Sequence, residues 1–243
     1  NAEYMGTGQT MRLVISKLLN SHFSSKPFCK SIFYFANIFS RNTPGEIVIW
    51  RALGPVRTSR FATGFSPLQY KPLHSILDVE RAKTKSPEEL VSIWDDYHLG
   101  RGHVGASMKS HLYNILQQRA LECRYFVVPL WKGSGYSTMF CQTQMPHMLF
   151  TGLEDYKARG TQAAPYVTTT YYTEFAESKG AVLIRGDVVF TSKLTDEEAT
   201  WLIETAQSFY LNDNRYKLVE CFNKRTRDFK FKDVMLALDI PML

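Results

Sequence analysis

The stretch from residue 123 to 190 constrains the fold most. It holds five short runs rich in aromatic and β-branched residues: "CRYFVVPLW", "YSTMFCQTQM", "HMLFTGL", "YVTTTYYTEF" and "AVLIRGDVVF". Runs of this kind read as strands. "KGSG", Pro146 and "AESKG" separate several of them by only a few residues. A parallel pair needs a crossover of about a dozen residues or more, so strands joined this tightly pair antiparallel. "YKLVECF" (216–222) reads as a sixth strand.

Helical patterns gather on either side. "SPEELVSIWDDYHL" opens with Ser86, Pro87 and Glu89, a capping box with proline in the first turn. Leu90, Ile93, Trp94 and Tyr97 follow as one apolar stripe. "MKSHLYNILQQRALE" reads as a second helix, with Met108, Leu112, Ile115 and Leu116 inward. Thr195 and Glu198 box the start of "DEEATWLIETAQSFYL", and "DFKFKDVMLALDI" closes as an amphipathic helix. The expected class is α+β: a twisted, mainly antiparallel sheet of about six strands flanked by helices.

Charge divides the chain. The net charge is +6, and residues 1–70 carry all of it, with eight Lys or Arg against two acids. Residues 71–243 hold 21 of each sign, which gives the body no excess charge to grip a nucleic-acid backbone. The basic, Ser- and Phe-rich start, with "MRLVISKLLNSHF", reads as an organelle transit peptide, mitochondrial first and chloroplast as the alternative. "RTSRFAT" resembles a mitochondrial processing site with a cut after Phe61. The expected organisation is a leader over 1–61, a linker over 62–85 within which "LHSILDVE" docks as a short segment, and one domain over 86–243. No run reaches the roughly 18 apolar residues of a membrane span. Cys29, Cys123, Cys141 and Cys221 form no C-x-x-C pair, and three remain after processing, which implies no disulfide framework and fits a reducing compartment.

"LGRGHVGAS" (99–107) places Gly100, Gly102 and Gly105 in G-x-G-x-x-G spacing. A dinucleotide loop needs a strand before the glycines and a helix N-terminus after them. Here a helix precedes, so the stretch reads as a connector between two helices, with a nucleotide-binding enzyme as the alternative. Ser134 in "KGSGY" lacks the glycine two residues earlier that a nucleophile elbow needs and reads as a hairpin turn. His74, His98, His103, His111 and His147 form no H-E-x-x-H, and no clustered cysteines join them, so no metal site is expected. The acid pairs Asp95/Asp96, Glu154/Asp155 and Glu197/Glu198 fall near helix ends and form no dyad. "NKRTR" (223–227) reads as a solvated basic run, though with the tyrosine strands it leaves an RNA-binding module as a third possibility. Two features are left: "YKARGTQAAPY" (156–166) and the surplus of aromatics in the Tyr-rich strand and the last helix, which pattern alone reads as core, with a partner surface as the alternative.

"LVSIWDDYH", "CRYFVVPLWKGSGY", "LFTGLEDYKARGTQAAPYVTTTYYTEFAESKGAVLIRGDV", "AQSFY" and "YKLVECFNKRTRDFKF" follow one another in an order that resembles the mitochondrial ATP synthase assembly factors that chaperone the beta subunit of the catalytic sector. The likeness covers about residues 73–240, an ordinary single-domain size. It implies a non-enzymatic, soluble matrix protein without cofactor, monomeric, which shields the unassembled beta subunit until the alpha subunit displaces it. The expected partner contacts are Tyr156, Lys157, Arg159, Tyr171 and Tyr172. "GRGHVGASMKS" departs from the family, which tends to hold a short apolar strand between its first two helices.

Overall fold

Two long strands, β2 (Tyr125–Lys132) and β3 (Gly135–Gln144), pair across the expected hairpin, with Val127 opposite Phe140 and Trp131 opposite Tyr136. β4 (His147–Gly152), β5 (Val167–Tyr172) and β6 (Ala181–Val188) continue the antiparallel sheet. These assignments come from a computed structural model that describes residues 70–240 apart from Ser134. The leader over 1–61, the start of the linker, the Ser134 turn and the terminal "PML" lie outside the described residues.

The sixth strand is not the one expected. β1 (His103–Lys109) pairs with β6, so the order is β1-β6-β5-β4-β3-β2. Val104, Ala106 and Met108 alternate toward the main core, a period of two that the intervening glycine obscures in the sequence. Met108 is therefore in a strand, and the following helix begins only at Ser110. Conversely, "YKLVECF" lies within a helix, Asp213–Lys224. Its buried residues are Tyr216, Val219 and Phe222, spaced every three, and Asn212 caps the start by accepting from the backbone N–H of Asn214 and Arg215. The α+β class stands, with six strands and seven α-helices among the described residues.

Both faces of the sheet are used. One face buries most of the main core, under α3 (Ser110–Glu122), α5 (Asp196–Leu211), α6 (Asp213–Lys224) and α7 (Phe231–Ala237). Phe126 sits at its centre, with Phe209 at 4.8 Å and Phe222 at 5.8 Å between ring centroids. At the free side of β2, the Asn223 side chain accepts from the Tyr125 N–H (3.2 Å) and donates to its carbonyl (2.7 Å), replacing a strand neighbour.

On the other face a smaller core gathers Leu73, Ala82, Leu90, Trp94, Tyr172, Phe175 and Leu183. It lies under a short 3-10 turn (Leu73–Ser75), α1 (Val79–Lys83) and α2 (Pro87–His98). This is the docked segment expected at "LHSILDVE". The Ser86 and Thr195 capping boxes are both present. Trp94 donates from Nε1 to the Ile184 carbonyl at 2.9 Å, anchoring α2 to β6. Lys179, in the β5–β6 connection, donates to the carbonyls of Lys83, the last residue of α1, and Lys85. α4 (Leu153–Arg159) follows β4 directly and rests on β3 through Tyr156 and Phe140, 4.6 Å apart.

Candidate partner-binding surface

The three glycines make a corner from helix to strand. Gly100 (φ 69°) and Gly102 (φ 71°) adopt the left-handed conformation that side chains disfavour, and they turn the end of α2 into β1. Gly105 serves a different need. A Cβ there would lie 2.8 Å from the Cβ of His98, so its absence lets α2 lie on β1. A phosphate loop requires the reverse order, strand then glycines then helix. The connector between two helices is thus a corner plus an edge strand, and β1 supplies the short strand whose absence looked like a departure from the family.

Beneath the corner lies a polar cluster. His98 is 1% exposed; its Nδ1 is 2.7 Å from the Trp94 carbonyl and its Nε2 is 3.4 Å from Arg185. That geometry fits a neutral ring donating from Nδ1 and accepting at Nε2. Burial, with the Arg185 charge adding to it, lowers the His98 pKa from the usual histidine value. Arg185, also buried, donates to Asp187 from Nε at 3.0 Å and Nη2 at 2.8 Å. His103 Nδ1 lies 3.1 Å from the same carboxylate, an electrostatic contact rather than an aligned hydrogen bond. Burial alone would raise the Asp187 pKa, but His103 and Arg185 outweigh it and hold the pKa well below the usual carboxylate range. These groups spend their bonding on one another and tie α2, β1 and β6 together.

Cys123 and Cys141 are buried free thiols, and burial pushes Cys141 up to about 12, far from a reactive thiolate. Among the described residues no group of three His, Cys, Asp or Glu could hold a metal, and no helix is long and apolar enough to cross a membrane.

The structure separates the five expected contact residues. Lys157 is half-buried, paired with Glu154 at 2.7 Å, and Arg159 is exposed. The three tyrosines are corrections to the expected surface, because each is core. Tyr156 packs on Phe140, and burial pushes its hydroxyl up to about 12. Tyr171 points into the main core and accepts from Gln207 Nε2 at 3.1 Å. Tyr172 points to the opposite face, packs against Trp94 and donates to the Lys71 carbonyl at 2.9 Å. A two-faced sheet buries both parities of a central strand.

One accessible apolar surface lies at the corner. Ile93, Tyr97 and Leu99 are 43%, 40% and 80% exposed. The Arg101 guanidinium stands over the Tyr97 ring, 4.6 Å from its centroid. Glu88, Glu89, Asp95 and Asp96 on the same helix are exposed. The stripe read from the sequence mixed two rows. Leu90, Trp94 and His98 face the sheet, while Ile93 and Tyr97 sit one row round. The signal was available: an apolar set wider than the inward row, ending in a leucine just before a glycine turn.

The fold and this surface define an α+β domain whose accessible chemistry at the corner is apolar and aromatic, with exposed acids on α2 and Arg101 beside them. Comparison with known proteins gives the family. A match to the family described as ATP11 protein spans residues 55–235. The chain is 32% identical over 171 residues to a human protein named ATP synthase mitochondrial F1 complex assembly factor 1, covering 70% of this chain and 52% of that protein. The mouse protein of the same name gives the same figures. Protein atp11, mitochondrial, from Schizosaccharomyces pombe is 28% identical over 181 residues, covering 69% and 63%. The chain belongs to the ATP11 protein family. It spans about half to two thirds of the length of the curated relatives it matches.

Proposed function

We propose that this protein is an assembly chaperone of the mitochondrial ATP synthase catalytic sector. It holds the unassembled beta subunit in the matrix, shields that subunit's apolar interface and is displaced by the alpha subunit. The observation that carries the reading is the family match, which runs through every strand of the sheet, together with human and mouse relatives that are named as F1 complex assembly factors. The physics agrees with it. An isolated subunit of an obligate ring exposes a large apolar interface, and a temporary partner needs accessible apolar side chains of its own. Ile93, Tyr97 and Leu99 provide such a set.

The test is light scattering from isolated beta subunit at a temperature where it aggregates. The chain at equimolar concentration suppresses the scattering, and added alpha subunit releases it into the free fraction. Unchanged aggregation in the presence of folded chain contradicts the reading.

A further inference from the structure

The opposite edge of the sheet carries a second exposed patch, of opposite charge. Trp131 and Tyr136 stand across from each other near the β2–β3 turn, 36% and 44% exposed. Tyr136 meets Phe231, the first residue of α7, with ring centroids 5.8 Å apart. Leu236, 56% exposed, lies one turn beyond Lys232 on the same helix. In the segment that leads from α6 into the first turn of α7, Arg225, Arg227, Lys230 and Lys232 are all exposed, and none forms an ion pair among the described residues. Asp228 and Asp233 are the acids within that stretch, so the cations stay in excess. By contrast Lys132, Lys193 and Lys224 nearby are each paired with a carboxylate.

We propose that this basic and aromatic strip is a second docking surface, which takes an acidic segment of the client that also bears apolar side chains. Cations left unpaired next to exposed aromatic and aliphatic groups complement carboxylates flanking an apolar anchor. β1 and β2 are the two edge strands, so the strip and the acidic corner on α2 lie at opposite ends of the sheet. The client is gripped at two poles of opposite sign, which fixes its orientation as well as holding it. A protein is favoured over RNA because residues 71–243 carry no net charge, which leaves the domain without the overall positive field that a nucleic-acid backbone calls for. The inference rests on the proposed function for the identity of the client.

The experiment uses the full chain, isolated beta subunit as probe, and two variants: Arg225→Glu/Arg227→Glu/Lys230→Glu/Lys232→Glu together, and Leu236→Ser. Circular dichroism checks that both fold. Wild-type affinity falls as salt rises from 50 to 300 mM, the fourfold variant binds about tenfold more weakly with a flatter salt dependence, and Leu236→Ser weakens binding at both salts. Unchanged affinity in both folded variants overturns the second surface and leaves the chaperone reading intact. Absence of binding by wild type overturns both. Two further outcomes overturn the assignment: salt-sensitive retention of wild type, but not the fourfold variant, on poly(U) RNA, or a concentration-dependent dimer that only the fourfold variant loses.

Discussion

At the residue scale, Gly105 and His98 explain each other. The missing Cβ of Gly105 makes room for a buried histidine, and that histidine orders Arg185 above the sheet. Gly105→Ala drives a methyl into His98 and costs about 1–3 kcal/mol, read as a lower urea midpoint with an unchanged slope. His98 also sets a pH dependence. Its folded pKa is lowered by burial, as is that of His147, against about 6.5 in the unfolded chain. Below that value the unfolded chain binds more protons than the folded one, so stability falls as the pH drops through 6 toward 5. His98→Asn flattens the slope of unfolding free energy over that range, and His147 supplies the remainder. A slope unchanged by the substitution contradicts a buried neutral His98. The sequence shows the glycine spacing and the histidine but not that one lies on the other, because this contact joins a helix face to a strand it has yet to reach.

At the element scale, the sheet is legible where alternation is undisturbed. β2 to β6 follow aromatic and β-branched runs with turns between them. β1 is hidden by Gly105 and by small residues, so its apolar period of two is carried by Val104, Ala106 and Met108 alone. The segment 216–222 is ambiguous for another reason. Tyr216, Leu218 and Phe222 fit a strand, while Tyr216, Val219 and Phe222 fit a helix, and only the Asn212 cap decides between them. Asn223 then ties that helix to the edge of β2. Asn223→Ala strands the Tyr125 N–H and carbonyl and costs about 1–3 kcal/mol by chemical denaturation. It also speeds hydrogen exchange at Tyr125 more than at Val127. Equal protection of Tyr125 in the variant contradicts the role of Asn223 as edge cover.

At the scale of the whole molecule, function was legible only as a resemblance, now supported by the family match. The expected tyrosine contacts are core because β5 is central and both its faces are packed. No single-sequence pattern distinguishes an exposed aromatic from one awaiting a helix on the second face. Accessible apolar groups include the corner formed by Ile93, Tyr97 and Leu99 and the strip at the far edge. Replacing the three corner residues with serine leaves the core contacts of Leu90 and Trp94 in place and weakens a client contact made there by about 2 kcal/mol or more. The most direct measurement is sedimentation velocity of this chain mixed with isolated beta subunit, for wild type and for the corner variant. A one-to-one complex with wild type, weakened or lost with the folded variant, is the predicted result. Wild-type chain and beta subunit sedimenting as separate species at micromolar concentration is the result that contradicts the account.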